Sequence, residues 1–212
     1  MRNIPLFATE LGVASLVLEQ IKYNKMAYIR IQSSSSLKEF LQECVGFCRA
    51  AGAEKIFATG EQIAELYDES VSVIRMMRLR EGMERGTSKL VSILPADIED
   101  FRGIYNSAMR NIPNASGMSI QSANEILQQG SGYFVYQEDE RIGLGIAEEE
   151  WIHGIVSLKK GMGMTIMQAL NTVLCGEEIH VELNDSNIAA KTLYERMGFT
   201  TYEVVSKWYK IF

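Results

Sequence analysis

Hydrophobic and polar positions switch period several times along the chain, and each switch marks an element. Residues Val13 to Ile21 are apolar and rich in β-branched side chains, and Lys22-Tyr23-Asn24-Lys25 then reads as a turn. Ala27 to Gln32 alternates, with Tyr28 and Arg30 set against Ile29 and Ile31, as a strand does. Ser33 to Ser36 offers several N-cap hydroxyls. After it Leu37, Phe40, Leu41, Cys44, Val45, Phe47 and Cys48 recur at helical spacing until Gly52. Lys55 to Ala58 predicts a short strand, Glu61 to Tyr67 a short helix, and Val71 to Leu79 a strand. Periodicity lapses over residues 80–88, which are polar and carry two glycines. A boundary is expected there, near Gly86, dividing the chain into residues 1–86 and 87–212.

Beyond it, Leu90 to Leu94 reads as a strand and Pro95-Ala96-Asp97 opens a helix through Phe101, Tyr105 and Met109. A second helix spans Ser119 to Gln129 and stops at Gly130. Strands follow at Tyr133 to Gln137, Arg141 to Ala147 and Trp151 to Val156, the first two joined by a turn at Glu138-Asp139-Glu140. Gly161-Met162-Gly163 opens a helix to Leu174. Ile179 to Leu183 is a strand, Asn187 to Met197 a helix, and Tyr202 to Ile211 the last strand. Hairpins followed by strand-helix-strand units predict a mixed α/β fold, its sheet mostly antiparallel and flanked by helices. Residues 27–79 and 151–212 share the order strand, helix, strand, short helix, strand. Both short helices carry Leu-Tyr before acidic residues, at Leu66-Tyr67 and Leu193-Tyr194, which suggests a duplication with a truncated first copy.

Composition narrows the picture. The 212 residues are 47% hydrophobic and 23% charged, the balance of a globular protein. No apolar run approaches the ~20 residues of a membrane span, and the start of the chain does not read as a signal peptide. A net charge of -6 argues against nucleic acid as a partner. Three cysteines, Cys44, Cys48 and Cys175, form no disulfide framework and fit a reducing cytoplasm. Cys44 and Cys48 share a helix face and read as core. No metal site is expected, since the histidines are only His153 and His180.

Two stretches carry chemistry. In Leu158-Lys159-Lys160-Gly161-Met162-Gly163-Met164 a strand end, two lysines and a glycine pair open a helix. First-turn N–H groups lack internal partners and sit at the positive end of the helix dipole, so this is a cradle for phosphate. It lacks the Gly-Lys-Ser/Thr of a nucleotide loop and the third glycine of a dinucleotide fingerprint. The second stretch, Asn187-x-x-Ala190-x-x-x-Tyr194-Glu195-x-x-Gly198-Phe199, follows a strand.

Together these motifs resemble the GNAT superfamily of N-acetyltransferases, over Lys89 to Phe212. The resemblance implies acyl transfer from acetyl-coenzyme A to the primary amine of a small molecule or peptide. It implies that backbone N–H groups at Lys160, Gly161, Met162, Gly163 and Met164, with the charge of Lys159, hold the pyrophosphate. The strand end at Gly154, Ile155 and Val156 would pair with the pantetheine arm and polarise the thioester carbonyl. Asn187 would touch that arm, and Tyr194 would protonate the leaving thiolate. Glu148, Glu149, Glu150 and His153 are candidates for the general base. His153 is favoured by the imidazole's readiness to change charge near neutrality, and Glu150 stands beside it as the carboxylate choice. Trp151 and Trp208 are candidates for an acceptor pocket or for the core. The strand-to-helix loop is shorter than is usual in the family, and three further departures stand out. Leu158 occupies a position where the family usually has arginine or glutamine, one long strand follows Phe199 where two are usual, and Ser33 to Ser36 replaces the cradle in the first copy. The first region is therefore expected to complete the sheet and to bind no coenzyme A. A non-catalytic coenzyme A sensor or protein-interaction module is the alternative reading, and a homodimer is compatible with either.

Overall fold

The computed structural model describes residues 5–212, so the first four residues of the stretch read for a leader lie outside it. Two compact units emerge: one comprises the chain up to Ser72 together with Val205–Phe212, the other Val73–Val204.

The first unit contains β1 (Leu6–Thr9), β2 (Gly12–Val17), α1 (Ile21–Asn24), β3 (Met26–Ser34), α2 (Leu37–Ala50) and β4 (Lys55–Thr59), then a single 3-10 turn over Glu61–Glu65. The stretch read as a turn at residues 22–25 lies largely in α1, which ends at Lys25 in the left-handed region (φ 60°). β1 was not anticipated, because four residues with one half-buried position carry no alternation to read. The strand order is β1-β2-β3-β4, and the end of the last strand completes it, Tyr209 opposite Ala58 and Lys210 opposite Phe57. β3 and β4 run parallel. α2 covers one face, burying Phe40, Leu41, Cys44 and Cys48 against Leu16, Ile29, Ile56 and Tyr209. Trp208 belongs to the opposite face, edge-on to Tyr28 at 5.4 Å, and so is core in this unit.

The second unit begins within β5 (Ser70–Leu79) and continues through β6 (Lys89–Ser92), α3 (Ile98–Met109), α4 (Ile120–Gln129), β7 (Gly132–Gln137), β8 (Glu140–Glu148), β9 (Trp151–Ser157), α5 (Gly163–Leu170), β10 (Glu178–Asn184), α6 (Ile188–Arg196) and the start of β11 (Thr200–Lys210). Its strand order is β11-β5-β10-β9-β8-β7-β6, antiparallel from β9 to β6 and parallel between β9 and β10. α5 and α6 bury Ile166, Met167, Leu170, Tyr194 and Met197 on one face. α3 and α4 bury Phe101 and Ala123 on the other, against Phe134, Leu144, Ile146 and Val156. No helix of the described residues is long and apolar enough to cross a membrane.

The boundary expected near Gly86 falls inside this unit. Its N–H donates to the Gln168 carbonyl at 3.0 Å, and an added Cβ would stand 2.8 Å from the Ala169 nitrogen. The glycine is there for close packing on α5, not for a linker. The compact division lies at Ser72/Val73, because β5 pairs antiparallel with β10 from Val73 to Leu79. The second unit thus takes its additional strand from chain that precedes its own β6, as the shortage of strands after Phe199 suggests. The repeated element order is also visible. β3-α2-β4 and β9-α5-β10 are each a parallel strand-helix-strand unit.

Candidate active site

β9 and β10 pair only at their starts, Trp151 with His180 and Ile152 with Val181. Past those pairs the two strands have no shared register, and the β9 edge facing β10 is left outside the ladder. On the other edge the β8 register jumps from Ile146–Gly154 to Ala147–Ile152. His153 is the extra residue of a β-bulge, a device that bends a strand and re-aims its groups. A cleft of about 460 Å³ opens where the strands part.

Gly154 and Ile155 of β9 line one wall. Gly154 keeps that wall thin, for an added Cβ would lie 3.2 Å from the Tyr105 ring. Asn187 and Tyr194 come from α6 on the opposite side. Asn187 is the N-cap, its Oδ1 accepting the Ala190 N–H at 3.2 Å. Tyr194 is 5% exposed and packs its ring on Phe199 at 5.5 Å. Burial, and then the neighbouring Tyr105, push its hydroxyl far above the usual tyrosine range, so it is a phenol and not a phenolate at neutral pH. Burial also raises Tyr105.

The exposed end of the cleft is polar and aromatic. Arg75 of β5 donates from Nε to Glu182 at 2.9 Å and from Nη1 to Glu203 at 2.9 Å, and its guanidinium lies 5.6 Å from the Trp151 ring centre. Trp151 stacks on His180 at 4.9 Å and on His153 at 6.3 Å. His180 contacts the Tyr202 hydroxyl through Nδ1 at 3.2 Å and Glu178 through Nε2 at 3.3 Å. Asn184, at the end of β10, is 6% exposed and lines the cleft.

The glycine-rich turn lies outside the lining of this cleft and precedes α5. Gly161 takes φ +89°, and a Cβ on Gly163 would stand 2.8 Å from Leu193, so the second glycine admits α6. The first α-helical bond of the turn is from the Ile166 N–H to the Met162 carbonyl, which leaves the N–H groups of Gly163, Met164 and Thr165 ahead of the ladder. Lys159 is paired with Glu140, and Lys160 is exposed. These groups fit a pyrophosphate: donors at a helix start, no side chain on Gly161, and a free cation beside them.

His153, Gly154, Ile155, Asn187 and Tyr194 all line this one cleft. Besides the residues of the glycine-rich turn, Glu148, Glu149, Glu150 and Val156 are not in that lining. Glu150 sits in the β8–β9 turn with its carboxylate against Gly176, and its carbonyl accepts the His180 N–H at 2.9 Å. It ties the start of β10 and stands outside the cleft lining. The Val156 side chain is buried against α3 and α4, so only its backbone is on the strand that borders the cleft. Arg75, Glu182 and Asn184 were not anticipated. Arg75 meets Glu182 across 107 positions, and no local pattern carries that pairing. Trp151 lines the cleft, whereas Trp208 does not.

No family model matches the chain, and no curated protein matches it. Solved structures do. A functionally unknown conserved protein from Staphylococcus epidermidis is 12% identical, with 98% of this chain and 93% of that one covered at a TM-score of 0.54. A GNAT-family acetyltransferase from Colwellia psychrerythraea is 11% identical, with 97% and 84% covered at 0.51. A putative acetyltransferase from Pyrococcus horikoshii is 15% identical, with 94% and 68% covered at 0.53. At these identities the likeness is one of fold, and the fold of this chain is that of the GNAT acetyltransferases.

Proposed function

We propose that the protein transfers an acetyl group from acetyl-coenzyme A directly to a primary amine. The observation that carries this reading is the parting of β9 and β10. Past Ile152 it leaves the β10-facing edge of β9 outside the ladder, with Gly154 and Ile155 lining the same cleft as Tyr194, and the turn at Gly161–Met164 opens the helix that follows β9. Coenzyme A supplies the acyl carbon as a reactive thioester. Gly161 to Met164 and Lys160 hold its pyrophosphate, and the β9 edge takes the place of a missing strand for the pantetheine amides. A backbone N–H of β9 polarises the acyl carbonyl. The amine nitrogen bonds to that carbon, the carbon–sulfur bond breaks, and the acetamide and the free thiol leave. The ammonium gives up a first proton to solvent before attack, and the second proton lost by nitrogen passes to His153 at the bulge. Tyr194 gives the leaving sulfur its proton and is replenished from solvent through the cleft. No cysteine lines the cleft, which supports direct transfer without an acyl-enzyme.

Calorimetric titration of acetyl-coenzyme A and of free coenzyme A tests the binding half. The expected dissociation constant is about micromolar, weakened at least tenfold in a Lys159→Ala/Lys160→Ala variant. Absence of binding to the folded wild type overturns the reading. Tyr194→Phe is expected to bind acetyl-coenzyme A normally and to lose on the order of a hundredfold in kcat. Binding without turnover in any amine screen would make the chain a coenzyme A-binding module.

A further inference from the structure

Asn184 holds a buried donor with no acceptor among the described residues. The Ser186 backbone N–H reaches Oδ1 at 2.8 Å, and because an N–H can only donate, this contact fixes which end of the amide is oxygen. The Ser186 hydroxyl donates to the same oxygen. Nδ2 is then turned the other way, buried, with no hydrogen-bond partner among the described residues. A buried amide N–H left unpaired is destabilising, so such a group is kept where something else satisfies it. Asn184 lines the cleft, and an acceptor atom entering the cleft is what its position offers.

Its neighbour on the same face of β10 is Glu182, about 7 Å back along the strand. Arg75 occupies Oε2 of that carboxylate and leaves Oε1 uncommitted. The Arg75, Glu182 and Glu203 group carries two negative charges against one positive, beside the face of Trp151. That combination attracts an ammonium and repels an isolated carboxylate.

Resting on the acyltransfer reading, we infer that the acceptor is an amine carrying a neutral carbonyl, as in an amide or an aminoacyl group, a few bonds from its nitrogen. Glu182 draws in the ammonium, and Asn184 Nδ2 donates to the carbonyl oxygen. Asn184 is thereby a specificity-determining residue for the acceptor.

The test titrates two matched series into protein already saturated with free coenzyme A. One series is glycinamide, β-alaninamide and 4-aminobutanamide. The other is the n-alkylamines of equal length. A site built to hydrogen-bond a group rejects analogues that lack it, so at least one amide is expected to bind tenfold or more tighter than its alkylamine. Asn184→Asp keeps an oxygen for the Ser186 N–H, hence the turn, and replaces the donor by an acceptor. It is expected to remove the tenfold gap while the affinity for acetyl-coenzyme A holds. Equal affinity of the two series for wild type overturns the inference, as does failure of both to bind. A variant that loses acetyl-coenzyme A affinity instead assigns Asn184 to the thioester, which also overturns it. If coenzyme A itself does not bind in the first step, the acyltransfer reading is what has failed.

Discussion

Gly143 has no space for a side chain. An added Cβ would lie 2.3 Å from the Val156 carbonyl oxygen and 2.4 Å from Ile166, the first of which is backbone of the strand that borders the cleft. Gly143→Ala must push β8 from β9, and a loss of about 3 kcal/mol is expected from overpacking of this kind. Urea denaturation with an unchanged slope measures it. A glycine pair inside a strand pattern, as at Gly143 and Gly145, means a bulge or a close approach of backbone. The structure gives the close approach, Gly145 facing Leu170 of α5, and puts the bulge on β9 at His153. The residues of the cleft divide in the same way. Tyr194 and Asn187 were legible because a helix cap, a tyrosine and a glycine lie within one short motif. Arg75, Glu182 and Asn184 were not, because their meaning comes from strands brought together by the sheet.

Elements whose signals are local follow the sequence closely. α2 begins at the serine run and ends where Gly52, at φ +97°, turns the chain away. The β7–β8 hairpin turns at Glu138 and Asp139, both left-handed, without a glycine. α5 (Gly163–Leu170) ends short of Leu174: Asn171, itself buried, is its C-cap and accepts a bond from Arg80, and Leu174 enters the core from beyond the helix. The stripe on α2 has a consequence in alkali. Burial, with smaller contributions from Cys48 and Glu43, pushes the Cys44 thiol up to about 12, and burial pushes Cys48 up to about 11. In the unfolded chain both ionise near 9.0. The folded state therefore holds these protons more tightly, and their contribution is complete below pH 9 and lost as pH rises toward 11 and 12. Melting temperature is expected to fall across that window. A Cys44→Ala/Cys48→Ala variant, less stable at pH 7 for its cavities, is expected to show a shallower fall.

At the scale of the molecule, each unit depends on a strand distant in sequence. Ile56 donates its N–H to the Phe212 carbonyl at 2.9 Å and accepts from Ile211 at 2.9 Å, while Tyr209 is buried beside Ala58. Deleting residues 205–212 exposes the β4 edge and opens that core. Hydrogen exchange is expected to accelerate through β3, β4 and α2 while the amides of β7 and β8 keep their protection. Equal acceleration everywhere would contradict the division at Ser72. A change in composition could not disclose this division, since the polar stretch near Gly86 is anchored to α5 and the division itself falls within a regular strand.

The same topology sets a timetable for a chain emerging from the ribosome. β5 is made before every other strand of its unit, yet its neighbour β10 arrives only after β6 to β9 have been completed. β4 waits longer still, for the final few residues. During synthesis both present bare edges, the kind that recruit strands from other chains. Loop closure over such separations is slow. Arg75 and Arg78 on β5, and Lys55 at the start of β4, put on those waiting strands the kind of charge that discourages pairing with other chains.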